Sequence, residues 1–490
     1  MKQNRRDFLL RSSAALGMTA LATQFRHFGL MSALAGNADA ASASTVPSDY
    51  RALVCIFLAG GNDGNNSLVP LHADASVSNY ATYYALRNPF GLAMPQNALL
   101  PFTIPRLGNL TYGLHPAFGV GPFSNGIYEL WGQNKMAIVS NVGTLAKPTT
   151  KAQMYDFTHP KPYNLYSHTD QTGQHQTGRS DRQIFSGWAG RLADRRSAPD
   201  NPGALVPMIT SISGAQLFTA GQTTLPLAIA PAPTGLNQVL NPQGYDPSPD
   251  SQAQLAALNA LLAQDLSTEI IAAASHITDT AIAVNSSLQS YQEISVQFPT
   301  SNIGNQLKQV ARMIKKRGDL GVNRQIFFCQ IGGFDTHNQQ LPTQNTLISQ
   351  TSQAMRSFYD EMVVQGLADK VTQFTLSDFS RTMNPAGSGV GVGSDHAWAN
   401  CHFVVGGVAG SDLYGLNTSN GTPLPTLALD GPDDADTGAG SRGRWIPTTS
   451  VEQYAATLAR WFGLPEADLP VVFPNIVNFQ NTNLGFMRPA

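Results

Sequence analysis

The sequence predicts an α/β protein built on a mostly parallel sheet flanked by helices. Three observations predict it: nearly continuous apolar runs that close on turn residues, helical patterns between those runs, and abundant glycine and proline. The 490 residues include 44 Gly and 31 Pro, which imply long ordered loops rather than a compact bundle.

A strand covered on both faces of a parallel sheet reads as an unbroken apolar run, because neither face meets water. Residues 51–59, RALVCIFLA, ending at Gly60-Gly61, form such a run. Similar runs occupy 325–331 before Gly332-Gly333, and 371–376 before Ser377-Asp378. Two more occupy 402–405 before Gly406-Gly407, and 135–139. Helices are expected over 303–317, where Ile303, Leu307, Val310, Ala311 and Ile314 recur at three- and four-residue steps, and over 346–365 and about 252–294. The polar, His-rich stretch 148–183 reads as a functional loop or insertion. Residues 196–250, rich in Pro, Gly, Ser and Asn, read as irregular surface structure.

Residues 1–40 carry a different signal. Asn4-Arg-Arg-Asp-Phe-Leu-Leu10 matches the twin-arginine export pattern, and a short apolar stretch, 14–22, follows it. That stretch is too short to span a membrane. Ala38-Asp39-Ala40 offers a cleavage site, leaving one α/β domain over 41–490 with a polar insertion near 148–250. The expected partner during export is the twin-arginine translocase, and the expected destination is the periplasm or cell envelope. After cleavage 25 Lys+Arg would face 30 Asp+Glu, a net charge of −5. That balance argues against a polybasic lipid anchor, and the lack of a basic patch argues against nucleic acid. Cys55, Cys329 and Cys401 lie in or beside apolar runs, form no CxxC, and read as buried thiols.

The chemistry-bearing residues cluster at strand ends. Acids follow three of the apolar runs: Asp63, Asp335 and Asp378. In open α/β sheets ligands bind beyond the carboxyl ends of the strands, so residues distant in sequence can converge there. Asp335 and His337, two apart, face one side in extended backbone and could meet one cation. Asp395 and His396 are adjacent and would point apart. His396 would then face the common centre, with Asp395 behind an imidazole or on another ion. The set Asp63, Asp335, His337, Asp378 and His396 offers only oxygen and nitrogen donors, which suit zinc, manganese, magnesium or calcium. Plainer roles stay open: Asp63 as a turn stabiliser, Asp335 and His337 as helix caps, Asp378 as an ion-pair partner of Arg381, and His396 as a loop histidine.

Several blocks resemble a bacterial exported family catalogued as a domain of unknown function, numbered fifteen hundred and one. They are Leu58-Ala-Gly-Gly-Asn-Asp-Gly64, Gly332-Gly-Phe-Asp-Thr-His337, Ser377-Asp-Phe-Ser-Arg-Thr382, Ser394-Asp-His-Ala-Trp398, and 445–454 with 461–463. The family is similar to the alkaline-phosphatase and sulfatase superfamily, which implies an alkaline-phosphatase-like fold and one or two metals. By that similarity Asp63 matches the acid after the first strand, and Asp335 and His337 the pair of one metal site. Asp378 matches the acid of an Asp-His dipeptide, and His396 a late histidine. Phe379 stands where the dipeptide's histidine would be, so a second metal loses a ligand and a single-metal site remains tenable.

Tyr166-Ser-His-Thr-Asp170 resembles a Ser-His block of the same family. Ser167 or Thr169 could attack an ester if a metal lowered its pKa, and His168 or His175 could supply a ligand or move a proton. A polar loop with ordinary histidines remains open. The sulfatase maturation pattern is absent from the sequence. The expectation is an exported metal-dependent hydrolase of phosphate or sulfate esters, with Arg381 steadying the anion. The alternative is a catalytically degenerate relative that binds a glycan, envelope polymer or protein.

Overall fold

The structure, a computed structural model, describes residues 49–238, 284–385 and 391–489, with 248–250, 252, 253, 256, 257 and 387 between them. The export motif and cleavage site lie outside the described residues, as does most of the helix expected over 252–294.

The strands are β1 (Arg51–Leu58), β2 (Leu68–Pro70), β3 (Leu100–Ile104), β4 (Leu110–Leu114), β5 (Met136–Gly143), β6 (Ile209–Ser211), β7 (Leu227–Ala228), β8 (Arg324–Ile331), β9 (Val371–Ser377), β10 (Asn400–Val405), β11 (Leu413–Tyr414) and β12 (Thr449–Ser450). The helices that matter here are α1 (Gly64–Ser67), α2 (Tyr80–Arg87), α3 (His168–Thr177), α4 (Trp188–Asp200), α5 (Asn302–Lys315), α6 (Gln340–Val364) and α7 (Val451–Phe462). The main sheet runs β11-β5-β10-β9-β1-β8-β6-β7, with β12 also on β5, and β2-β4-β3 forms a small antiparallel sheet.

Strand β1 pairs in parallel with β8 and β9, and its sequence shows why it sits at the centre. Ala52, Val54, Ile56 and Leu58 face one core, with Leu307 and Val310 of α5 and Phe358 of α6. Leu53, Cys55 and Phe57 face the other, with Trp188 and Leu192 of α4 and Tyr454 and Leu458 of α7. Alternation between two apolar layers leaves no polar face. Each large apolar side chain withdrawn from water contributes about 1.5–3 kcal/mol.

Strand β10 runs against both of its neighbours, β5 and β9. An apolar run carries no mark of direction, yet the reversal matters. The segment entering β10 arrives at the sheet end where β1, β8 and β9 finish. Residues 394–398 therefore meet the turns after Ile331 and Ser377, and Asn400 meets the turn after Leu58.

Two regions differ from the sequence expectation. Within 196–250, β6 and β7 extend the main sheet, and Ile209 and Leu227 are fully buried. Strands of three and two residues are too short to display a period. Within 148–183, the polar stretch contains α3, whose Gln171, Gln174 and His175 are buried. Helix α6 also starts earlier than 346, because Gln340 and Gln344 of its first turns make polar contacts inside the protein rather than apolar ones. No helix among the described residues is long and apolar enough to cross a membrane.

Candidate metal centre

The turn after β1 sets the site's floor. Gly60 and Gly61 have φ of 114° and 83°, a region where L side chains are strained. A Cβ on Gly60 would stand 2.4 Å from the Asp335 nitrogen, so glycine is required for the two turns to touch. Register pairs Leu58 with both Ile331 and Ser377, which brings the three strand ends level. The Ser377 hydroxyl ties them, donating to the Leu58 carbonyl at 2.7 Å and accepting from Asn62 N at 2.9 Å.

Above this floor, three imidazoles turn their Nε2 atoms toward one another. The His396 Nε2 lies 3.1 Å from that of His168 and 3.0 Å from that of His337. Asp335 Oδ1 lies 3.3 Å from His168 Nε2, 3.0 Å from His337 Nε2 and 3.6 Å from His396 Nε2. Two sets of donors are close enough to share an ion: His168, Asp335 and His396, and His337, Asp395 and His396.

The chemistry of these donors fits a cation. His396 Nδ1 is 2.8 Å from the Tyr166 carbonyl, which can only accept, so Nδ1 carries the proton. Burial holds the His396 imidazole below its ordinary pKa, so its Nε2 presents a lone pair. His168 Nδ1 lies 2.8 Å from Asp378 Oδ2, which likewise leaves Nε2 facing inward. The Asp378 hydrogen bond raises the His168 pKa against the effect of burial. Burial also pushes the Asp335 carboxyl up, but Arg381, His168 and His337 more than reverse this and keep it below the usual range. Donors about 2.0–2.1 Å from one tetrahedral ion stand about 3.3 Å apart. The 3.1, 3.3 and 3.6 Å edges of the His168, Asp335 and His396 triangle match that spacing.

Other residues expected at the site are placed differently. Asp63 is buried and points away, into an ion pair with Arg87 at 2.8 Å. Gln340 Nε2 donates to the same oxygen, and Asn65 N to the other at 3.1 Å, so the carboxylate caps α1 rather than facing the imidazoles. Asp378 stands behind the His168 ring, its Oδ1 accepting from Gly60 N at 3.0 Å. Asp395 accepts from its neighbour's His396 N at 2.8 Å and faces Arg444 and Arg442 at 3.3 and 3.5 Å.

The expectation that Arg381 steadies a substrate anion is corrected. Its guanidinium is fully buried and donates to the carbonyls of Gly60, Gly61, Phe334 and Ser394 and to Asp335. Arg381 thus clamps the turns and the Asp335 carboxylate, and an Asp378 pairing is not formed. The Ser167 hydroxyl is also engaged: it caps α3 and donates to Asp170 at 2.7 Å. Thr169 is exposed. His175 is buried at the far end of α3, where burial lowers its pKa to about 4.

Sequence reasoning missed Tyr166, Arg87 and Gln340. Tyr166 acts through its carbonyl, at φ of 71°, and has no side-chain signature. The Phe379 ring, noted for the ligand it displaces, packs 4.6 Å from the His168 ring and 4.7 Å from the His396 ring. It forms an apolar wall behind both imidazoles.

The profile of a family described as "Protein of unknown function (DUF1501)" matches residues 149–423. No curated protein matches the sequence. Among solved structures the chain is similar to Ps i-CgsB in complex with a neocarrahexaose, at 8% identity and a TM-score of 0.32, covering 89% of this chain and 78% of that one. It is similar to the PsFucS1 sulfatase from Pseudoalteromonas sp., at 9% identity and 0.29, covering 90% and 74%. It is also similar to the lipoteichoic acid synthase LtaP from Listeria monocytogenes, at 8% identity and 0.25, covering 84% and 79%.

Proposed function

The chain belongs to the DUF1501 family, and from its own site we propose that it is an exported, metal-dependent hydrolase of phosphate or sulfate esters. One observation carries the reading: the Nε2 atoms of His168, His337 and His396 face one another beside the Asp335 carboxylate. The two imidazoles and one carboxylate of His168, His396 and Asp335 form a donor set for zinc rather than magnesium or calcium. The Arg5-Arg6 motif supports export through the twin-arginine translocase to the periplasm or envelope.

A bound divalent ion would polarise the ester and acidify a water. The chain's own residues prepare for that. Arg381 keeps Asp335 ionised, Asp378 and the Tyr166 carbonyl fix the inward faces of His168 and His396, and Phe379 keeps water from behind the rings. The His337 side chain, 45% exposed, marks the side from which substrate enters. With Ser167 committed to Asp170, the attacking group is a water rather than that hydroxyl.

A second reading has its own support. Arg381 has no free face for an anion and Ser167 is occupied, which favours a protein that binds an envelope polymer or glycan without turnover. Assays on aryl phosphates and aryl sulfates separate the two, using zinc-reconstituted protein and a His396→Ala variant. Turnover that requires both zinc and His396 supports the hydrolase. Zinc binding with no turnover on the whole panel supports the binder. Failure to bind any divalent ion defeats the centre itself.

A further inference from the structure

We propose that Asp378 is a positioning residue that acts through His168, not a ligand of the ion. The inference rests on the reading above that the imidazole cluster holds a divalent ion. The geometry comes from a single ring: in an imidazole Nδ1 and Nε2 lie on different sides, and Asp378 occupies the Nδ1 side at 2.8 Å. His168 Nε2 is the atom that faces Asp335 and His396. A carboxylate hydrogen-bonded to Nδ1 is therefore separated from the ion by the ring itself.

Asp378 is itself held. Its side chain is 4% exposed, and its second oxygen accepts from Gly60 N at 3.0 Å. Gly60 also accepts from Arg381, the residue that grips Asp335. One glycine thus links the holder of His168 to the holder of Asp335. A carboxylate behind a ligating imidazole fixes its tautomer and orientation and raises its basicity. His396 has a neutral carbonyl in the corresponding place, so His168 is the more basic of the two ligands.

The test is a double-mutant cycle on the full chain, freed of metal by chelation and titrated with zinc. Asp378→Asn keeps an oxygen for Gly60 N and is expected to weaken zinc binding about 10- to 100-fold. His168→Ala is expected to weaken it further, and adding Asp378→Asn to His168→Ala to cost nothing more. A nitrogen-15 spectrum of the metal-free wild type, which needs no variant to fold, is expected to show the His168 proton on Nδ1. Unchanged affinity in Asp378→Asn, an equal penalty with and without His168, or a His168 that carries no proton on Nδ1 each overturns the proposal. A wild type that binds no zinc overturns the ion reading first, and that outcome is distinct from the other three.

Discussion

Arg87 and Asp63 form an ion pair at 2.8 Å in which neither side chain reaches solvent, at 0% and 1% exposure. Arg87 also donates to Asn66 at 2.7 Å, and Gln340 joins Asp63 to the Ser394 backbone, which its Oε1 accepts at 2.8 Å. The acid after β1 is thereby turned from ligation to architecture. It steadies the segment that carries His396.

Removing Arg87 strands a buried carboxylate. Arg87→Ala is expected to cost about 3–5 kcal/mol in urea denaturation, because an uncompensated charge stays in the interior. Zinc stoichiometry of the folded fraction is expected to remain that of the wild type. Full stability in this variant would show that the pair matters little.

The same pair shows where sequence reading stops. Apolar runs marked β1, β8 and β9 because both their faces are covered, and the acids beyond them marked the right end of the sheet. Whether such an acid faces a ligand or a cation depends on turn torsions and on partners far along the chain. Arg87 is 24 residues from Asp63, and the sequence carries no sign of that contact. Asp335, His337 and His396 converge, while Asp63 and Asp378 stand at the same strand ends and turn away. His168 was noticed for its Ser-His block, but its inward Nε2 follows from Asp378, 210 residues away. Backbone groups such as the Tyr166 carbonyl leave no trace in residue type.

The capping role of Ser167 makes a second prediction. Ser167→Ala is expected to lower stability by about 1 kcal/mol through loss of the α3 cap. Its effect on kcat against the best substrate found is expected to stay within about tenfold. Loss of a true attacking side chain costs about 10⁶-fold in kcat, so steady-state kinetics decide between the roles.

Gly60 is expected to resist substitution. Gly60→Ala places a side chain at φ of 114° and 2.4 Å from the Asp335 nitrogen. Strain and displacement together are expected to cost about 2–4 kcal/mol in thermal or urea unfolding. Zinc affinity is expected to fall with it, since the turn holds both Asp335 and Asp378. Wild-type values for both would mean that the turns do not touch.

Glu452, in the first turn of α7, gives a pH dependence separate from the site. Burial pushes its carboxyl up to about 8, and among the described residues neither oxygen has a hydrogen-bond partner outside its own turn. The folded state keeps its proton where the unfolded state has lost it, so stability falls as pH rises from about 4.5 to 8. The slope is on the order of 1 kcal/mol per pH unit from this group. Glu452→Gln is expected to remove that contribution and to be the more stable protein at pH 8. Parallel stability curves for the two proteins across this range would contradict it.

The most direct measurement of the central claim is anomalous X-ray diffraction at the zinc edge from crystals of zinc-reconstituted protein. A peak bounded by the Nε2 atoms of His168 and His396 and by Asp335 is the expected result. Crystals that hold zinc only elsewhere, or against Asp63 with the three imidazoles turned apart, would contradict the account.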